Sequence, residues 1–313
     1  MIISASRRTD IPTYYSDWFI NRIREGYVCV RNPMNIHQIS QISLDPSVVD
    51  GIVFWTKNPI PMMDKLDEIN EYTYYFQFTV NPYGKNVERN IPNKEKVIIP
   101  TFQTLSKKIG PERMIWRYDP IFLSREYNAE WHAQCFEYIA KSLRGYTRKC
   151  IISFLDLYKN TKNNTKSIGL LQIGEKEMEE IAQSFSEIAK RNDLVIESCS
   201  EEINLEKYGI NHGHCIDCNL FEDLLGCKLD LSKDKNQRME CGCVSSIDIG
   251  MYNTCKNQCL YCYANYSQTS VNRNNSAHNP YSPLISGEIG EDDVVRIRKA
   301  VSCKNCQLSI FDM

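Results

Sequence analysis

Seven short β-rich runs punctuate the chain, and stretches of helical periodicity fill several of the gaps between them. The runs are IISAS (2–6), GIVFWTK (51–57), YTYYFQFTV (72–80), RMIWRYD (113–119), CIISFLD (150–156), LVIESCS (194–200) and SSIDIG (245–250). Helical patterns occupy 14–25, 94–109, 129–144 and 174–191, the last with an acidic start and a basic end that suit a helix dipole. Strands alternating with helices imply an α/β fold with a parallel sheet. A repeat of mostly ~35–50 residues predicts a full or partial (β/α) barrel of TIM type. A doubly wound open sheet competes, but no G-x-G-x-x-G follows any of the runs. The 313 residues, 42% hydrophobic, suffice for one large core or two modest ones.

Each apolar run ends in polar or ionisable side chains. These are Ser6-Arg7-Arg8-Thr9-Asp10, Thr56-Lys57-Asn58, Asn81, Arg117-Tyr118-Asp119, Asp156, Glu197-Ser198 and Asp248. In a barrel all such ends surround one mouth, where ligands bind. Any single one also suits the start of a loop. Arg7 and Arg8 are candidates for a carboxylate or phosphate partner, or for pairing with Asp10. Lys57 and Asn58 are candidates for an anionic substrate or a cofactor carboxylate, against a solvated loop position. Asp156 and Glu197 suit ribose hydroxyls or ordinary salt bridges. Asp119, ahead of Pro120, suits a strand cap equally well. Trp55, Trp116, Tyr74, Tyr75 and Phe76 read as core.

The net charge of -2 supplies no global positive field toward nucleic acid or an anionic membrane. The first apolar run is too short for a secretory signal, and no stretch approaches the ~20 apolar residues of a membrane helix. A cytoplasmic location without a membrane partner is expected.

Of 14 cysteines, only Cys29, Cys135 and Cys150 precede residue 199. In a cytosolic chain such clustering points to metal rather than disulfides. The sharpest feature is Cys255-Lys-Asn-Gln-Cys259-Leu-Tyr-Cys262, a C-x3-C-x2-C run just after SSIDIG. Three thiolates on one loop suit three corners of an iron–sulfur cube and leave the fourth iron open. A zinc loop is the alternative, though zinc favours C-x2-C pairs with a distant second pair. A further four-thiol site, as an auxiliary cluster or zinc, is expected from Cys199, Cys215, Cys241 and Cys243. Cys218, Cys227, Cys303 and Cys306 form the runner-up set, and inert buried thiols the plain alternative. His212 and His214 are read as ordinary hydrogen-bonded residues.

The run resembles the signature of the radical S-adenosylmethionine superfamily, including the aromatic before the last cysteine, here Tyr261. The resemblance implies a [4Fe–4S] cluster whose open iron chelates S-adenosylmethionine, with Tyr261 near the adenine. It further implies reductive cleavage to a 5′-deoxyadenosyl radical acting on a substrate. An electron donor such as flavodoxin or ferredoxin would then be a partner. In that superfamily the motif follows the first barrel strand, whereas here it follows the last run. A circular permutation reconciles the two, with SSIDIG as first strand and IISAS as second. The loop Ser6–Asp10 would then face the methionine amino group, although the usual Gly-Gly-Glu is absent.

Nearly the whole chain also resembles a bacterial family, domain of unknown function 1848. The shared motifs are SASRRTDIP (4–12), VRNP (30–33), FWTKNP (54–59), RYDP (117–120), ESCSE (197–201), CGCVSSIDIGMYNTC (241–255) and YCYAN (261–265). The expected organisation is a barrel body over 1–200, a Cys/His-rich metal-organised insert over 201–243, and a last strand, cluster loop and tail over 244–313. The Asn-rich stretches 159–167 and 268–279 are expected to be loops. A non-enzymatic zinc or iron–sulfur module, and a radical enzyme repairing nucleic acid, are the competing functions.

Overall fold

A computed structural model describes residues 1–305. Its centre is one sheet of eight parallel strands. In chain order they are β1 (Ile2–Ala5), β2 (Gly51–Thr56), β3 (Tyr74–Thr79), β4 (Met114–Ile121), β5 (Lys149–Phe154), β6 (Val195–Ser198), β7 (Asn211–His212) and β8 (Ile247–Asp248). Seven of them run side by side in chain order, and β8 returns to lie against β1, with Ile3 opposite Ile247 and Ser4 opposite Asp248. SSIDIG and IISAS are therefore parallel neighbours. The sheet edges are β8 and β7, and the pairing of these two edges that would close a barrel is not among the sheet's ladders.

Side chains alternate across a strand, so each strand serves two faces. The outer face carries Ile3, Ile52, Phe54, Phe76, Trp116 and Ile152 in one large apolar core. Four helices cover it: α1 (Ser16–Glu25), α2 (Ile99–Ile109), α3 (Ala129–Leu143) and α4 (Glu175–Arg191). Helix α4 buries Ile181, Ala182, Phe185, Ile188 and Ala189, a single stripe at helical spacing. It begins with Glu175 and Glu177 and ends with Lys190 and Arg191, each end opposing the dipole there. Asn128 caps α3 by accepting from the Trp131 amide at 2.8 Å. Gly26, at φ 75°, ends α1 in the left-handed region that glycine tolerates best.

The inner face begins apolar, with Ile2, Val53, Tyr75, Ile115 and Ile151. The cysteine-rich segment plugs this end: Ile216, Phe221, Leu229 and Val244 pack directly on those side chains. Gly51 has no Cβ because the Phe221 ring occupies that space. Apolar packing thus organises the segment 201–243, expected from the sequence as a metal-organised insert, and no three donors among the described residues converge there on a metal position. Further along each strand the inner side chains turn polar, and this gradient prepares the cavity.

Several elements depart from the sequence expectation. The stretch 94–109 enters through a π-helical turn, Lys94–Ile98, before α2 begins. The polar stretch expected as a loop over 268–279 contains a helix, Gln268–Ser276, which Ser267 caps by accepting from the Ser270 amide. The stretch 159–167 contains a short helix, Lys159–Asn164. A separate three-stranded sheet, Tyr27–Asn32, Asn35–Ser43 and Val294–Ile297, has no counterpart among the sequence runs. Among the described residues, no helix is long and apolar enough to cross a membrane.

Candidate functional site

The carboxyl ends of the parallel strands open onto a cavity of about 600 Å³, within the range of small-molecule sites. Ser6, Lys57, Thr79, Asp119 and Ser153 reach it from successive strand ends. Two groups of cysteines share its wall. Cys255, Cys259 and Cys262 come from the loop after β8, and Cys199, Cys215, Cys241 and Cys243 from β6 and the plugging segment.

Contacts from several directions hold the 255–262 loop. The Leu260 amide donates to the Val87 carbonyl at 3.0 Å and the Asn90 amide to the Asn257 carbonyl at 3.1 Å. Asn265 donates to the Cys255 carbonyl at 2.8 Å, and Tyr15 to the Thr254 carbonyl at 2.7 Å. Asn257 is fixed at both ends of its amide, by Tyr14 at 2.7 Å and by Asp10 at 3.1 Å. The approach to the loop requires Gly250, because a Cβ there would overlap Ser6 and press on Thr9. Burial raises all three thiols above the ordinary range, Cys259 to about 12. The charge of Asp10 adds to the effect at Cys255.

Beside Cys259 lies a buried polar network. Lys57 donates to Glu88 at 2.8 Å and to the Tyr261 hydroxyl at 2.8 Å. Tyr261 donates to Glu88, and Lys94 binds the other Glu88 oxygen. Burial pushes the Glu88 carboxyl up, but Lys57 and Lys94 outweigh it and hold the group at about 2. Glu88 is 1% exposed, so its charge is matched inside the protein rather than by water. Asn81 joins Tyr261, at 3.2 Å, to the Asp119 backbone, at 2.7 Å from Asn81 Nδ2.

Arg117 carries the network across to the other cysteines. Its guanidinium donates to Asp119 at 2.7 Å and to Cys215 Sγ at 2.8 Å. Cys199 and Cys215 have sulfurs 2.9 Å apart, Cys215 contacts Cys243, and Cys243 contacts Cys241. Contacts from Cys199 and Cys243, and the nearby Arg117 and Arg7 guanidiniums, hold the Cys215 thiol well below its usual range despite burial. No disulfide joins cysteines among the described residues. Nor do any three His, Cys, Asp or Glu side chains among them converge on a position for one metal ion.

Residues 2–264 match the family model described as a domain of unknown function, DUF1848. The chain belongs to the DUF1848 family. No curated protein matches it.

In this DUF1848 chain the strand-end candidates divide. Arg7, Arg8, Asp10, Lys57, Arg117, Asp119, Asp156 and Tyr261 all border the cavity. Asn58 and Glu197 do not. Asn58 offers its carbonyl to Thr13 at 2.7 Å, and Glu197 pairs with Lys149 at 2.8 Å beneath the site. Asp10 is fully engaged, accepting from Thr56 at 2.8 Å and from the Thr13 and Lys57 amides at 3.1 and 2.9 Å. Asp156 pairs with Arg238 at 2.6 Å on the rim. Trp55, expected in the core, packs against the inner apolar cluster and also borders the cavity under Arg7, whose guanidinium lies 5.4 Å from its ring. Glu88, Lys94 and Asn81 escape sequence reasoning as a unit, because two of them sit on an irregular segment without periodicity. Cys218, Cys227 and Cys303 do not border the cavity, and Cys306 lies outside the described residues.

Proposed function

We propose that this protein is a radical S-adenosylmethionine enzyme whose [4Fe–4S] cluster is held by Cys255, Cys259 and Cys262. One observation carries the reading: three thiols of a single loop face a cavity at the carboxyl ends of a parallel sheet. The donor set fits the group. Soft thiolates select iron–sulfur clusters, and three ligands on a four-iron cube leave one iron able to chelate a small molecule. When bound there, the cluster and S-adenosylmethionine supply one-electron cleavage of a sulfonium and a carbon radical able to abstract hydrogen.

The chain's own residues do the remaining work. Lys57 and Lys94 place positive charge beside Cys259. Tyr261 is held rigid by Glu88, Lys57 and Asn81, so its ring forms a fixed wall. Asp119, Ser153 and Asp156 offer oxygen acceptors suited to hydroxyl groups. Ile216 and Phe221 of the plugging segment close the apolar end of the inner face. The position of β8 beside β1 supports a circularly permuted, partial (β/α) barrel, with the cluster loop following its topological first strand. A cytoplasmic setting and a one-electron donor of the flavodoxin or ferredoxin class complete the reading.

The test is anaerobic purification followed by reduction with dithionite in the presence of S-adenosylmethionine. The expected result is a brown protein that forms 5′-deoxyadenosine, with formation falling to background in Cys255→Ala. Intact cluster without that product would refute the reading, and stoichiometric zinc in place of iron would favour a structural metal module.

A further inference from the structure

We infer that Cys199, Cys215, Cys241 and Cys243 bind a second [4Fe–4S] cluster, closed by four thiolates, on the wall of the same cavity. The inference stands whether or not the radical reading holds. Cys199, just past the end of β6, and two separate stretches of the plugging segment bring four sulfurs into one chain of contacts. Cys199 meets Cys215 at 2.9 Å, and Cys215, Cys243 and Cys241 follow in sequence. All four line the cavity.

The surrounding charge is the second observation. Two guanidiniums, Arg7 and Arg117, are turned toward these sulfurs. Arg7 Nη2 is buried and has no hydrogen-bond partner, although its neighbours include Cys215 and Cys243. A buried guanidinium nitrogen without a hydrogen-bond partner calls for an anionic acceptor, which a thiolate-ligated cluster supplies. Arg117 already donates to Cys215 at 2.8 Å, and the Ile216 amide to Cys243 at 3.4 Å. N–H groups directed at ligand sulfurs are the means by which proteins set cluster potentials.

Arrangement decides between iron–sulfur and zinc. One zinc ion needs four donors directed at a single point. No three donors among the described residues converge in that way. A cube takes one thiolate per iron and holds the four sulfurs apart around itself, and the cavity in front of them offers the room for that. With every iron ligated by cysteine, this cluster has no vacancy for substrate and serves as a one-electron centre. The route Cys215–Arg117–Asp119–Asn81–Tyr261–Glu88 links it to the surroundings of Cys259.

The experiment uses the full chain made anaerobically with ⁵⁷Fe and read by iron and sulfide analysis and Mössbauer spectroscopy. The Cys255→Ala/Cys259→Ala/Cys262→Ala variant is expected to keep about four irons per chain as a [4Fe–4S] signal that S-adenosylmethionine does not alter. Cys215→Ala/Cys243→Ala in the wild-type background is expected to lose about four irons, while the signal sensitive to S-adenosylmethionine remains. Arg117→Gln, which keeps all four thiols, should move the potential of this cluster to a more negative value. Zinc in the triple variant, a Cys199–Cys215 disulfide without iron, or complete iron loss from a folded triple variant would each overturn the inference. If the triple variant does not fold, the double variant decides: unchanged iron there overturns the site. Because 5′-deoxyadenosine is not the readout, failure here is distinct from failure of the radical reading.

Discussion

The two faces of the central sheet are built from the same strands, yet they do different work. On the outer face Trp116 and Phe76 meet helices and are fully buried. On the inner face the next residues along, Arg117 and Gln77, place a guanidinium on the cavity wall and a buried amide 3.4 Å from it. A shift of one residue in register would exchange the two sets, so the alternation fixes both stability and chemistry at once. The outer face tolerates no water, whereas the inner face is apolar only where Phe221 and Ile216 plug it. Destabilising one face and disabling the other should therefore be separable.

The largest effect on stability is expected on the outer face. Trp116 stacks on Phe136 at 4.8 Å between centroids and donates to the Val80 carbonyl at 3.0 Å. Trp116→Ala should cost about 3–5 kcal/mol, measured by urea unfolding, with unchanged metal content per folded molecule. Loss of metal at equal folded fraction would break the separation of faces.

Acid should act on the same face. His132 is buried between the Tyr118 hydroxyl at 2.8 Å and the Phe122 carbonyl at 2.9 Å, and burial lowers it to about 4. The folded protein thus holds the ring neutral, while the unfolded chain binds a proton below about 6.5. This stability is present above about pH 6.5 and is lost as pH falls to about 4, a loss of about 3 kcal/mol. Unfolding midpoints at pH 7, 5.5 and 4 check it, and a flat profile would contradict the burial assigned to His132.

Where the faces meet, Gly250→Ala should cost about 1–3 kcal/mol, because the new methyl displaces Ser6 and the start of the cysteine loop. It should also lower iron retention at Cys255, Cys259 and Cys262, which a purely outer-face change would not. Lys57→Met should have the smallest effect on melting, since Lys94 still pairs with Glu88. Formation of 5′-deoxyadenosine should nonetheless fall by roughly 10–100-fold, the scale of outer-shell changes at metal sites. Equal loss of stability and product would merge the two roles.

Much of this division was legible in the sequence. Runs such as GIVFWTK and YTYYFQFTV announce strands buried on both sides, and the cysteine spacing marks the loop. The place of SSIDIG beside IISAS followed from treating the motif as topologically first, and the ladder has that order. Other features had no local signal. Asn211–His212 is two residues long, and the Asn35–Ser43 strand is largely exposed at its start, so neither carries a strong apolar pattern. The helix Gln268–Ser276 is polar nearly all round and buries only Val271 and Asn274. Glu88 meets Lys57 and Tyr261 from distant parts of the chain, a meeting that only the folded topology supplies. Alternation along the strand puts Trp55 on the inner apolar face but does not say that it stands at the cavity end of that face.

The most direct test concerns the iron that the proposed three-thiol cluster would leave open. The reduced, anaerobic full-length chain is mixed with S-adenosylmethionine labelled with ¹⁷O in its carboxylate and ¹⁵N in its amine, then studied by electron–nuclear double resonance. Hyperfine coupling from both labels to the cluster is predicted, and it should vanish in Cys259→Ala. An intact, reduced cluster that shows no coupling to either label would contradict the account.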